Sequence, residues 1–237
     1  MARSYGQHCG VSTALELVGE RWALLIVRDL LVGPRRFTDL RQGLPRVPTN
    51  ILSTRLRELQ EAGVVRRAHL AHCGLVYELT EFGRDLEDVV LSLSRWGSRA
   101  LGEPGPDEVL SPDALTITLR SAFRAEVAAG YPATRYGLDL SGFGLSVAAG
   151  PAGLEIRPVG SARPVDVGGR PPEPDLTIRT SAAIHRLIGG RVSARAAVAD
   201  GLVELSPARI DLLDRFARTF RLAPGGPGEA DLKPTVA

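Results

Sequence analysis

Apolar residues recur at helical spacing through most of the first hundred positions, then at alternating spacing through much of the remaining chain. "STALELV" reads as a helix. "RWALLIVRDLL" is a second, with Trp22, Leu25, Ile26 and Leu30 on one face and Gly33-Pro34 as its stop. "RFTDLRQGL" is a short amphipathic helix carrying Phe37, Leu40 and Leu44. Pro45 and Pro48 bracket a turn, and Thr49 is placed to cap another helix through Ala62. Leu52, Leu56 and Leu59 fall there at i, i+4 and i+7, a core stripe, and Gly63 is the stop. Asn50, Ser53, Thr54, Arg57 and Gln60 lie opposite. "VVRRAHL" and "LVYELT" read as two strands of a hairpin around "AHCG". From Glu81, a long helix is predicted from the spacing of Phe82, Leu86, Val89, Val90, Leu93 and Trp96.

A Pro-, Gly- and acid-rich stretch, "GEPGPDEVLSPD", interrupts the pattern and predicts a boundary: a first domain over 1–102, a linker over 103–113 and a second domain over 114–222. The second begins with a predicted helix, "ALTITLRSAFRAEV". "TRYGLDLS", "FGLSVAA" and "GLEIRPV" then alternate between Gly-rich turns as an antiparallel meander. "DLTIRT" is a further strand, and Ser181 is placed to cap "AAIHRLIGG". After it come "SARAAVADG", the strand "LVELS" and a helix from Pro207 through Phe220. Residues 223–237 have the composition of a disordered tail. The predicted class is α+β: an N-terminal winged helix-turn-helix plus a C-terminal α/β domain with a mostly antiparallel sheet covered by helices.

Composition changes this picture little; charge placement changes it more. The 237 residues are 44% hydrophobic and 24% charged, ordinary for a globular protein with real cores. No apolar run is long enough to span a membrane, and "MARSYGQHCG" lacks a signal-peptide core. Two cysteines, Cys9 and Cys73, make no disulfide framework, so a reducing cytoplasm, at the nucleoid, is the expected setting. The net charge is only +2, yet Arg21 to Arg67 holds 10 Arg against 4 acidic residues. The cations are guanidinium forks suited to phosphate and guanine, Lys233 being the one lysine.

Helix, helix, turn, helix, hairpin, helix is the order of a winged helix-turn-helix, in which the helix after the turn enters the major groove and the wing lies along the backbone. A merely solvated face would be satisfied by Glu and Lys; this one offers short donors and acceptors plus Arg. Double-stranded DNA is the expected partner. Asn50, Ser53 and Arg57 are expected toward base edges, with Arg36, Arg46, Thr49 and the wing's Arg66 or Arg67 on phosphates and Thr54 also among the DNA-binding residues.

These residues also resemble the HxlR family of bacterial transcriptional regulators. The resemblance rests on Cys9, on Gly19 and Trp22 in "G-x-x-W", and on "L-x-G-P-R-R-F" from Leu31 to Phe37. It extends through "LSTRLREL" and "Y-x-L-T-x-x-G" from Tyr77 to Gly83. It implies a homodimeric winged-helix repressor or activator that dimerises through its terminal helices. Members are typically one short domain, and this chain continues for more than 100 residues beyond it. The last third, "PDLTIRTSAAIHRLIGGRVSARAAVADGLVELSPARIDLLDRF", resembles more weakly the sterol-carrier-type (type two) lipid-binding fold. That implies an apolar cavity for a small apolar effector, with Leu138, Leu145, Ile156, Leu187, Leu213 and Phe216 around it and Arg135 or Tyr136 at its mouth. The alternative is a lipid or small-molecule carrier or enzyme domain that the helical module recruits to DNA; a third reading makes this domain an extra dimer interface.

Reactive chemistry is scarce. There is no Walker loop, "G-x-S-x-G" or "H-E-x-x-H", and neither catalysis nor a cofactor is expected. His185 lies in a predicted helix, where packing or solvation is the commoner role. His69, His72 and Cys73 crowd the hairpin tip but lack a fourth ligand, so no metal is expected. Cys9 precedes a helix and sits beside His8, which favours the thiolate. It is either an oxidant or electrophile sensor, as in some members of the family it resembles, or a small buried residue filling a dimer interface.

Overall fold

The structure, a computed structural model, describes residues 4–71, 74–105, 108–159 and 171–222. Its residues form two compact units that divide between Val90 and Leu91.

In the first unit, α1 (Gly10–Val18) and α2 (Ala23–Val32) are followed by α3 (Phe37–Gly43) and α4 (Thr49–Glu61). Strands β1 (Val65–Leu70) and β2 (Gly74–Leu79) form an antiparallel hairpin. The predicted stripe holds: Leu52, Leu56 and Leu59 are buried and pack α4 onto a core shared with Ile26, Leu30 and Leu40. Leu25 does not join it and faces outward. Trp22 is the N-cap of α2, in the left-handed region at φ 80°, so the helix begins at Ala23 and Trp22 stands outside it. Thr49 proves to be the first helical residue of α4, with Pro48 in the cap position; proline's fixed φ and missing N–H suit it to a helix start. The other end is a Schellman closure: Gly63, at φ 71°, donates to the Gln60 carbonyl, and Val64 to that of Leu59.

The long helix expected from Glu81 is two helices, α5 (Glu81–Arg84) and α6 (Glu87–Gly97). Thr80 caps α5 by accepting from the Gly83 N–H, and its hydroxyl donates to the Gly63 carbonyl at 2.6 Å. Gly83 is required there: a Cβ would lie 2.1 Å from the Val64 carbonyl oxygen. Along α6 only Val90 of the predicted apolar stripe is buried. Val89, Leu93 and Trp96 are 48, 45 and 71% exposed.

The second unit contains α7 (Pro112–Ala122), α8 (Ala125–Ala128), β3 (Thr134–Leu140), β4 (Phe143–Gly150) and β5 (Gly153–Val159). After these come β6 (Leu176–Thr180), α9 (Ile184–Ile188), α10 (Ala194–Ala199), β7 (Val203–Ser206) and α11 (Ile210–Thr219). The predicted helix over 114–127 breaks at Phe123, whose backbone leaves the helix to bridge Phe220. The strands order as β5-β4-β3-β6-β7, with every pairing antiparallel except β3 with β6, where Leu138 stands beside Ile178. Alternation gives this sheet one apolar face, and Leu115, Leu119, Ile184, Leu187, Leu213, Phe216 and Phe220 cover it. Phe216 meets Tyr136 edge-on, ring centroids 5.2 Å apart, a favourable aromatic geometry. On the opposite face, Arg179 bonds both Asp139 and Glu204.

The unit boundary thus falls within α6 and not at the Pro/Gly stretch 103–113. The bonds explain why: Ser94 pairs with the Ser121 hydroxyl at 3.0 Å, Arg191 donates to the Leu101 carbonyl, and Arg186 faces Glu103. Residues past Val90 are tied to the second unit before the proline-rich segment begins. No described helix is long and apolar enough to cross a membrane. The expected tail, 223–237, lies outside the described residues.

Candidate nucleic-acid interface

Because Leu52, Leu56 and Leu59 anchor one side of α4, its other side is committed to solvent. Thr49, Asn50, Ser53 and Arg57 are exposed and Thr54 is half-buried. Ser53 spends its hydroxyl proton on the Thr49 carbonyl, 3.0 Å away, leaving its lone pairs to act as acceptors. Two arginines two positions apart have opposite roles. Arg55 turns inward, pairing with Glu58 and reaching Glu20 at 3.6 Å. Arg57 points out, and its partner Glu61 stands 3.8 Å away with both side chains about 70% exposed. A pair so exposed contributes about 0–1 kcal/mol, so a better acceptor readily takes Arg57 from it.

The hairpin discriminates between its two arginines in the same way. Arg66 bonds the Glu78 carboxylate through Nε and a terminal nitrogen, each at 2.7 Å. Arg67, on the other face, donates to the Tyr77 hydroxyl at 3.2 Å and lies 5.5 Å from its ring centroid. Arg36 starts α3, its N–H bonded to Asp39, and Arg46 is exposed in the turn before α4. Between α4 and the hairpin runs a groove of about 400 Å³ lined by Ser53, Thr54, Arg57, Gln60, Arg67 and Tyr77. Sequence reading placed Gln60 on the polar face without giving it a role, and it missed Tyr77.

Cys9 is exposed, at the N-cap of α1. The backbone N–H groups of Ser12 and then Val11 hold its thiol below the usual range, as a helix N-terminus does for a thiolate. Beside Cys9 lies an apolar groove of about 500 Å³ whose walls include Leu17, Val18, Val64, Phe82 and Leu86. No sequence pattern pointed to this groove, because Phe82 looked like part of a buried stripe.

The positions expected to line an effector cavity have a different setting. Tyr136, Leu138, Leu145, Leu187, Leu213 and Phe216 stand packed against one another in the core of the second unit, with Ile156 half-buried at its edge. Burial pushes the Tyr136 phenol up to about 12, so it stays neutral. Arg135 is exposed, its N–H bonded to Asp175. His185 is half-buried with its pKa lowered by desolvation. His72 and Cys73 lie outside the described residues, and no cluster among the described residues has the ligands to hold a metal.

A buttressed helix with guanidinium and short polar groups outward, a turn before it and a hairpin beside it define a winged helix-turn-helix, a DNA-binding class. Residues 17–104 match the HxlR-like helix-turn-helix family. The regulator YdeP of Bacillus subtilis is 36% identical over 93 residues, which are 38% of this chain and 73% of that protein. YodB, an HTH-type transcriptional regulator of the same organism, is 33% identical over 97 residues, 40% of this chain and 86% of YodB. The structure of the redox regulator HypR in its oxidized form is 34% identical, with a TM-score of 0.36, over 38% of this chain and 94% of that one. The chain belongs to the HxlR-like family. It is a helix-turn-helix transcriptional regulator, and most of its second unit lies beyond the family-matched residues 17–104.

Proposed function

We propose that the protein is a repressor that binds an inverted-repeat operator as a homodimer, at the nucleoid in the cytoplasm, with α4 in the major groove. The observation that carries this reading is the outward face of α4, where Asn50 and Arg57 stand exposed on a helix whose other side is locked by three buried leucines. Dimerisation is supported by exposed apolar side chains at helical spacing: Val89, Leu93 and Trp96 on α6, and Val11 and Leu15 on α1. Footprinting on genomic fragments tests it. The expected result is two protected half-sites about one helical turn apart; protection of a single unsplit half-site contradicts the dimer.

A second reading concerns the signal. An exposed thiol with a lowered pKa, beside an apolar groove, supports Cys9 as the sensor of an oxidant or small apolar electrophile. The order from β6 through α11 follows the sterol-carrier-type resemblance, and among the described residues the positions expected around its cavity are packed in the core. The groove beside Cys9 is therefore the favoured place for control. Diamide or a quinone is expected to weaken DNA binding by the wild type and to leave Cys9→Ser unaffected; equal responses return Cys9 to a structural role.

A further inference from the structure

We propose that Tyr77 is a positioning residue that aims Arg67 across the groove beside α4, so that α4 and the wing together clamp one DNA backbone phosphate. This rests on the DNA-binding reading above and adds a defined anion site to it. Arg67 and Tyr77 are direct cross-strand partners in the hairpin, so their side chains share a face. Tyr77 is anchored, only 7% exposed, and its backbone is held through both polar groups: the Tyr77 N–H donates to the Arg35 carbonyl at 2.7 Å, and the Arg35 N–H returns a bond at 2.9 Å. Arg67 meets this phenol through both a hydrogen bond and the ring face.

The chemistry of the partner matters. A phenol orients a guanidinium without cancelling its charge, whereas the Glu78 carboxylate beside Arg66 neutralises that one. Of the two wing arginines, Arg67 is the one directed into the groove, and Gln60 of α4 lines the other wall with a further donor, leaving Arg57 to the base edges. A space of about 400 Å³ with the Arg67 guanidinium on one wall and the Gln60 amide on the other suits an anionic phosphate oxygen, and DNA presents such groups along the edge of the major groove that α4 enters. Phe37 lines the same space and forms its apolar side.

A phosphate contact carries no sequence information, so a mixed-sequence DNA duplex serves as the probe. Binding of the full chain is followed by fluorescence anisotropy as salt is raised. Each phosphate contact contributes roughly 0.9 to the slope of log K against log salt. Arg67→Ala should lower the slope by about one. Tyr77→Phe keeps the buried ring and removes only the hydroxyl; it should lower the slope part of the way, and the double variant should be no worse than Arg67→Ala alone. A wild-type slope in Tyr77→Phe, or losses that add in the double variant, overturns the positioning role. Arg67 is an exposed side chain, so Arg67→Ala decides independently if the Tyr77 variant is unstable: an unchanged slope there overturns the clamp. A wild type with no salt-dependent binding to the duplex instead removes the DNA-binding reading itself.

Discussion

Replacing Leu93 and Trp96 together by Asp is expected to convert the protein to a monomer and to lower its affinity for its operator by about 10²- to 10⁴-fold, the gain that linking two binding modules provides. The two residues lie one turn apart on α6, and Trp96 is 71% exposed. Large apolar groups left in water at i, i+4 and i+7 mark a surface awaiting a partner. In the proposed dimer, two carboxylates on each copy would meet their symmetry mates in an apolar setting, where a buried unpaired charge is strongly unfavourable. Neither side chain contributes to the buried core of this chain, so the monomer's own stability should change little. Sedimentation of both proteins checks this. A wild type that sediments at 25.3 kDa, or a double variant that still dimerises, contradicts the assignment.

That same stripe shows what the sequence does and does not disclose. The periodicity of Leu52, Leu56 and Leu59 identified a buried face, and they are buried, because the rest of the helical unit closes over them. Phe82, Val89, Leu93 and Trp96 have an equally good period, and the structure leaves them exposed. Period reports that a face is apolar, not whether its cover belongs to the same chain. The break between α5 and α6 escaped notice for a related reason: Thr80 caps a helix of one turn, and the apolar spacing runs across the break undisturbed.

Side-chain pairing was less legible still. Arg66 and Arg67 are adjacent and identical in type, and what separates them is the hairpin register, which sets one opposite Glu78 and the other opposite Tyr77. In the second unit, alternation at Leu138, Leu145 and Val147 indicated one apolar sheet face, and that face exists. Whether helices fill it depends on the depth to which Leu213 and Phe216 of α11 insert, a three-dimensional fact that no alternation encodes. The resemblance over the first hundred residues was far more informative, since its glycines and aromatics sit where the backbone demands them, as Gly83 does against the Val64 carbonyl.

In the proposed binding mode α4 reads DNA, and Arg57 is its most exposed and least committed guanidinium. Its pair with Glu61 is too exposed to hold it, and a bidentate contact from such a side chain to a guanine is worth about 1–3 kcal/mol of discrimination. Arg57→Ala leaves the buried leucine stripe untouched, so the helix itself should persist. Affinity for the footprinted operator and for a mixed-sequence duplex is measured for both proteins under one salt condition. If α4 reads bases through Arg57, Arg57→Ala loses roughly 1–3 kcal/mol at the operator and much less on the mixed duplex. Operator affinity equal to that of the wild type would contradict it.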